Sequence, residues 1–300
     1  MLARCSSASL QGMEALPVTV EVDLAPGLPG LQLVGLPDTA IQESRERVRA
    51  ALRNSGFRGP LVRVIVNLAP ADRRKEGPAF DLPIALALLV ASGQLDPQKL
   101  EGLCCAGELG LDGSLRSCRG ILAMACQAKT QQAKAFVVPS ANAAEASLVD
   151  GLPIVSAKTL GELVEQLRHG GQNHRCSPPE QEVATTTTIP TSASEPPSAA
   201  PLTIQHFARK ALAIAAAGGH HLLMVGPPGC GKTMLARELP SLLPPLSDSE
   251  ALELTRLQSI AGTLGSVTSL VRQRPFRAPH HSTTAAGLLG GGGSIPVPAN

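Results

Sequence analysis

Eight consecutive residues carry the clearest chemistry in the chain: Gly226, Pro227, Pro228, Gly229, Cys230, Gly231, Lys232 and Thr233. They satisfy the spacing G-x-x-x-x-G-K-[ST] in full. Glycines allow backbone angles that turn successive N–H groups inward, and a helix starting just after them adds its positive end to the same cavity. Lys232 would reach β- and γ-phosphate oxygens, and the Thr233 hydroxyl would be a ligand of Mg²⁺. The bland alternative is a Gly-rich turn that happens to precede Lys-Thr. Against it stand the apolar run Leu222–Val225, which reads as a buried strand, and a helical segment from Lys232 to about Leu239. Strand, loop and helix are the order a nucleotide-phosphate site requires.

Binding is not hydrolysis. Phosphoryl transfer also needs a carboxylate at the end of a second strand to hold Mg²⁺. After Gly226 the acidic residues are Glu238, Asp248, Glu250 and Glu253. None follows a run of four apolar residues, so these 300 residues carry half of an ATPase site.

Other residue clusters are less specific. Nine basic residues fall between Arg45 and Lys75, against Glu46 and Asp72. Arg45, Arg49, Arg53, Arg73, Arg74 and Lys75 are candidate DNA-phosphate contacts. The competing reading is a solvated helix face laced by Glu43–Arg47 and Glu46–Arg49 pairs. Arg272, Arg274 and Arg277 form a second basic cluster, beside His280 and His281. The pairs His220–His221 and His280–His281 are poor chelators, because adjacent strand residues point to opposite faces. Seven cysteines include no C-x-x-C pair, and adjacent Cys104 and Cys105 could join only through a strained disulfide. A reduced, cytoplasmic protein is the expectation.

These residues need a frame. Two domains fit in 300 residues, and the 43% apolar share can build cores. Aromatic residues are only 2%, with five Phe and no Trp or Tyr, which argues against base-stacking platforms for single strands. The start of the chain contains no apolar stretch long enough for a secretory segment, and the run Leu82–Ala91 is about half a membrane span. No membrane partner is expected. Residues 171–201 hold six Pro, five Thr and four Ser, with Val183 and Ile189 the only large aliphatics, and read as a disordered linker.

The linker divides residues 1–170 from 202–300. In the first part, Val18–Leu24 alternates as a half-buried strand, Leu31–Val34 and Val62–Leu68 read as strands, and Thr39–Asn54 as a helix opened by a Thr39/Gln42 capping box. Ile84–Ser92 reads as a buried helix. A hairpin around Leu111–Leu115, helices at Gly120–Lys129 and Leu160–Arg168, and a strand at Ala135–Val138 complete an α/β domain. The second part opens with a helix over Ile204–Ala217, its apolar face read as Phe207, Ala211 and Ile214.

The stretches GLPGLQLVGLPDTAIQESRERVRAAL, VNLAPADRRKEGPAFDLPIAL, AAAGGHHLLMVGPPGCGKTMLAREL and RPFRAPHHSTTAAGLLGGGGS lie on both sides of the linker. On them the chain resembles the YifB/ComM family, the magnesium-chelatase-like AAA+ ATPases of bacteria. The resemblance implies an N-terminal domain with the fold of the Lon protease domain, related to ribosomal protein S5 domain 2, then the linker, then part of a P-loop AAA+ domain. It implies ATP and Mg²⁺ as cofactors, hexameric rings, and ATP-driven work on DNA such as branch migration in natural transformation.

Residue by residue, the carry-over has gaps. The nucleophilic Ser of Lon-type proteases is replaced by Ala79 in Gly77-Pro78-Ala79, and the partner Lys by Leu122 after Arg119-Gly120-Ile121. Neither side chain can attack a carbonyl or take a proton, so proteolysis is not expected. Where the family carries an acidic-aromatic and Gly-Gln segment near the adenine, this chain reads Leu202-Thr203-Ile204-Gln205. The family's Walker B acids, sensors and arginine finger would follow Asn300, so the sequence reads as a shortened member that binds ATP without turnover. Two other readings stay open: a chelatase-type motor for metal insertion, and a non-enzymatic interaction module with a vestigial phosphate loop.

Overall fold

The computed structural model describes residues 2–59, 61–169, 202–264, 269–280, 282–285 and 287, with side chains from His206 onward in the second half. The expected linker at 171–201 lies outside the described residues. The chain divides into two units: Met1–Glu180, Leu254–Leu270 and Thr284–Asn300 in one, Gln181–Glu253 and Val271–Thr283 in the other.

In chain order the first unit contains β1 (Leu2–Gln11), β2 (Glu14–Ala25), β3 (Gly30–Val34), α1 (Thr39–Asn54), β4 (Arg63–Ala69), α2 (Asp81–Ala91), β5 (Leu103–Cys105), β6 (Glu108–Leu109), β7 (Leu115–Arg116), α3 (Ile121–Thr130), β8 (Ala135–Pro139), α4 (Ala143–Ala146), β9 (Ile154–Ala157) and α5 (Leu160–Arg168). Seven strands form one sheet in the order β3-β4-β2-β1-β5-β8-β9. β2 runs antiparallel to β1 and β4, and the remaining neighbours are parallel. This is a mixed α/β fold with a mostly parallel sheet.

The period-two pattern of β2 places Val18, Val20 and Val22 in the core. On β1, Ser7, Ala8 and Ser9 are buried in succession, so both faces of the strand are covered there. α2 and α3 both pack on β1 and β2. Every residue of α2, DLPIALALLVA, is buried, and α1 packs on it through Ile41, Ser44, Val48, Ala51 and Leu52. The hairpin expected near Leu111–Leu115 is the β6–β7 pair.

Three expectations need correction in detail. The N-cap of α1 is Asp38, one residue before Thr39: its carboxylate accepts from the N–H of Ile41 at 2.8 Å and of Gly77 at 3.0 Å. One carboxylate oxygen satisfies an orphan donor of the helix start while the other accepts from a distant loop N–H. β1 lies between β2 and β5 in the sheet, although its run of small residues gave no strand signal.

The third correction concerns the second unit, with α6 (Leu202–Gly218) and α7 (Lys232–Leu242). α6 buries Leu212, Ala215 and Ala216, whereas Phe207 is 69% exposed and Ile214 and Ala211 are also exposed. On a helix this rich in Ala and Leu two stripes compete, and the packing selects the other one. α6 packs with α7, helped by an Arg209–Glu238 ion pair at 3.2 Å. A further helix, α8 (Asp248–Ala261), opens with a capping box in which the N–H of Ser247 donates to Glu250 at 2.8 Å and the N–H of Glu250 to the Ser247 hydroxyl at 3.4 Å.

Candidate functional site

The phosphate-loop residues stand between α6 and α7 in the chain, and the loop turns at Gly229 (φ +80°) and Gly231 (φ +85°). Gly231 is the N-cap of α7, with no side chain bonded to the helix start, so the first N–H groups of α7 are left for a ligand. Lys232 folds back on the loop: its ammonium donates to the carbonyls of Gly226 at 2.8 Å and Pro227 at 2.7 Å, with the Cys230 sulfur at 3.4 Å. Cys230 is exposed. Open space around both glycines, an uncapped helix start and a lysine on the loop are a donor set that fits a polyphosphate, with Thr233 next in line for a cation.

The run Leu222–Val225 is not a strand, and Leu223 and Val225 are 86% and 87% exposed. A strand is held by a ladder to a neighbour. Among the described residues of this unit no strand offers one. The four acids after the loop are accounted for in part: Glu238 pairs with Arg209, Asp248 with Arg272 at 2.7 Å, and Glu250 caps α8 and lies 4.0 Å from Arg274. Backbone and hydroxyl donation from Ser247 holds the Glu250 carboxyl below its ordinary pKa. His280 shares a 2.7 Å hydrogen bond with Ser282. His281 lies outside the described residues.

In the first unit the basic residues go to different places. Arg45, Arg49, Arg53, Arg73 and Arg74 are exposed. Arg49 and Arg53 line a cavity of ≈ 380 Å³ with Glu46, Leu31 and Leu61, while Arg73 and Arg74 flank a separate crevice. Lys75 does not present a surface charge. It is 1% exposed, and its ammonium donates inward to the carbonyls of Gly35 (3.1 Å) and Pro70. Burial pushes its pKa down. Gly35 itself has φ +98°, and a Cβ there would stand 2.3 Å from the carbonyl oxygen of Leu68, so this position takes only glycine.

Arg47 also turns inward. Its guanidinium donates to both carboxylate oxygens of fully buried Asp81, at 2.7 and 3.1 Å, and to the Ala40 carbonyl at 3.0 Å. Asp81 further accepts from the Ser44 hydroxyl and from the N–H of Leu109 at 3.2 Å. Hydrogen bonding to Asp81 raises the pKa of Arg47. The Glu43–Arg47 pair expected on a solvated face exists, but at 3.7 Å and as the weaker contact.

Ala79 and Leu122 are both buried; the N–H of Leu122 donates to Glu145 at 2.9 Å. Ala79 lines a cavity of ≈ 550 Å³ with Asp38, Glu108, Cys118 and Arg119. Cys118 is its one thiol, and burial pushes that thiol's pKa up to about 12, which keeps it protonated and poorly nucleophilic at neutral pH.

Residues 20–142 match the family model described as subunit ChlI of Mg-chelatase, and residues 200–300 the model described as magnesium chelatase, subunit ChlI. The chain is 42% identical over 306 residues to competence protein ComM of Haemophilus influenzae, covering 99% of this chain and 57% of that protein. It is 42% identical over 287 residues to the uncharacterized protein YifB of Escherichia coli, covering 96% and 54%. With an uncharacterized protein of Mycobacterium tuberculosis it shares 44% identity over 302 residues, covering 99% and 57%. The chain thus spans just over half the length of the curated relatives it matches.

Proposed function

Because the chain belongs to the YifB/ComM magnesium-chelatase-like family, we propose that residues 226–233 bind the phosphates of ATP with Mg²⁺ in a protein that works on DNA. The observation that carries the nucleotide reading is the uncapped start of α7 behind a loop turned at two positive-φ glycines. Lys232 would exchange the carbonyls of Gly226 and Pro227 for phosphate oxygens, and Thr233 would hold the cation through its hydroxyl. Bound ATP supplies the phosphoanhydride; the residues here grip and orient it. Glu238, Asp248 and Glu250 are engaged as described and Glu253 lies within α8, none of them at the end of a strand, so these 300 residues would bind ATP without turning it over.

The DNA reading rests on the exposed arginines of α1 and of the loop after β4, and on the likeness to a competence protein. The first unit is then a Lon-like domain that recognises rather than cleaves, since Ala79 and Leu122 stand where a serine and a lysine would act. Hexamer formation belongs to the same reading. A chelatase motor is the second reading, favoured by the description of both matching family models. Salt-dependent DNA binding by the chain, absent for a porphyrin-directed motor, separates the two.

The nucleotide proposal is tested with a fluorescent ATP analogue and Mg²⁺, beside Lys232→Ala, with phosphate release assayed in the same tubes. Binding lost in Lys232→Ala with no phosphate released is the expected result. Lys232-dependent turnover overturns the binding-only reading, and absence of binding by the unaltered chain overturns the nucleotide site itself.

A further inference from the structure

β3 closes one end of the seven-stranded sheet, so only one of its edges is paired. Backbone N–H and C=O groups of alternate residues in Gly30–Val34 point away from β4, and among the described residues no strand meets them. Proteins commonly blunt such an edge with charged residues or proline. The five residues of β3, GLQLV, include neither. Bare aliphatic side chains bracket the strand instead. Leu28 is 90% exposed and Leu36 55%, and Leu61, just before β4, is 85% exposed.

Through Gly30 and Leu31, β3 also lines the cavity of ≈ 380 Å³, a volume within the roughly 300–1,000 Å³ of ligand clefts. Leu31, Leu52, Val64 and Leu88 give that cavity an aliphatic lining. Its charged residues are Glu46, Arg49 and Arg53, all on α1 and all exposed. Residues four apart on a helix are neighbours, so Arg49 and Arg53 set two guanidiniums side by side as a repulsive pair. Among the described residues neither has an ion pair or a side-chain hydrogen bond. Arg45 extends the same stripe, but it donates to the Gln42 carbonyl at 3.0 Å and does not line the cavity.

We propose that the free edge of β3 receives an extended acidic peptide as an added strand. Residues directly opposite on neighbouring strands point to the same face of a sheet, about 5 Å apart. A large aliphatic side chain opposite Leu31 therefore shares the face of Leu31 and enters the cavity that Leu31 lines. A Glu or Asp two positions along the peptide lies on that face as well, where its carboxylate meets Arg49 and Arg53 and relieves their repulsion. Backbone pairing supplies affinity, and the cavity and arginines supply selectivity, as in other strand additions. The recognised pattern is aliphatic–x–acidic. A second copy pairing edge to edge would bring GLQLV, which has no carboxylate for the arginines. A DNA duplex would meet the arginines and leave the aliphatic lining and the strand edge unused. The inference goes beyond the nucleotide and DNA readings, and leaves Arg45, Arg73 and Arg74 to the latter.

The experiment pans random octapeptides displayed on phage against the immobilised 300-residue chain. A parallel selection uses Gly59→Trp, which fills the cavity from a lining position where an added Cβ meets nothing within 4 Å. Enrichment of aliphatic–x–Asp/Glu peptides on the unaltered chain, and its loss on Gly59→Trp, is the expected result. The most enriched peptide is then made with a fluorescein label and titrated by anisotropy. Arg49→Ala and Arg53→Ala should each weaken it about 3-fold, the scale of an exposed ion pair. Arg45→Ala should leave it unchanged. All three side chains are exposed, so thermal unfolding should not move. Methylating alternate backbone nitrogens of the peptide should abolish binding in one register and spare it in the other, because an added strand pairs along one edge only.

A selection with no enrichment, or peptides that bind Gly59→Trp equally well, overturns the proposal. Indifference to N-methylation in both registers overturns strand addition. Equal weakening by Arg45→Ala, Arg49→Ala and Arg53→Ala, for the peptide and for a labelled 20-base-pair duplex alike, overturns the carboxylate contact and gives the stripe to DNA.

Discussion

Arg47→Met is the substitution with the largest effect that can be worked out from the first unit. It removes the guanidinium that donates twice to Asp81, and leaves a fully buried carboxylate with only the Ser44 hydroxyl and the Leu109 N–H. Breaking one side of a buried pair costs roughly 3–5 kcal/mol. The Arg47 side chain is 20% exposed, so water relieves part of the loss and the lower end, about 3 kcal/mol, applies. In a unit of this size each kcal/mol is worth about 2–4 °C, which puts the fall in Tm at about 6–12 °C. Thermal unfolding followed by circular dichroism measures it directly. Replacing both partners, as Arg47→Met with Asp81→Leu, removes the stranded charge and should recover most of the loss, a coupling of about 2 kcal/mol or more in the double-mutant cycle. A single variant within about 2 °C of the unaltered chain, or strict additivity in the cycle, would refute the claim that this ion pair ties α1 to α2.

Burial raises the thiol of Cys104 from 9.0 to about 12. The unfolded chain therefore loses that proton first, and the contribution of Cys104 to stability is fully present below pH 9 and lost as pH climbs from 9 towards 12. By pH 10 the loss is on the order of 1 kcal/mol, so Cys104→Ala should show a correspondingly smaller drop in unfolding free energy between pH 8 and 10 in urea titrations. Exposed Cys230 should be the first of the described cysteines alkylated by N-ethylmaleimide, read by peptide mass mapping, with ATP and Mg²⁺ slowing the reaction several-fold; labelling of Cys104 or Cys105 at a similar rate would contradict their burial. On α6, Leu212→Ala should cost about 2–3 kcal/mol where Phe207→Ala costs under about 0.5, by urea denaturation, reversing the ranking that residue size alone suggests.

Local chemistry was legible without the fold. The G-x-x-x-x-G-K-T spacing is contiguous and needs no fold to be read, and the structure puts a helix on each side of it but not the strand expected at Leu222–Val225. Helix α1, strand β2 and α2, apolar after Asp81, declare themselves through period and hydropathy, because each is stabilised by burying a pattern written into neighbouring residues. β1 was invisible for the complementary reason. Leu2–Gln11 is made of small residues with weak alternation, and its place between β2 and β5 depends on partners up to about a hundred positions away.

The direction of a charge was likewise beyond the sequence. Arg45, Arg47, Arg49 and Lys75 look alike in a list of basic residues, yet Arg47 is claimed by Asp81, 34 positions on, and Lys75 by the carbonyls of Gly35 and Pro70. The Leu222–Val225 run shows the same limit from the other side: its apolar residues suit a buried strand, but strand hydrogen bonds close only against a neighbouring strand. Sequence determined which groups could meet a phosphate and which segments could be helix or strand, because those properties are local. Tertiary structure decided which basic side chains face solvent and which turn inward, since burial and pairing are set by residues distant along the chain.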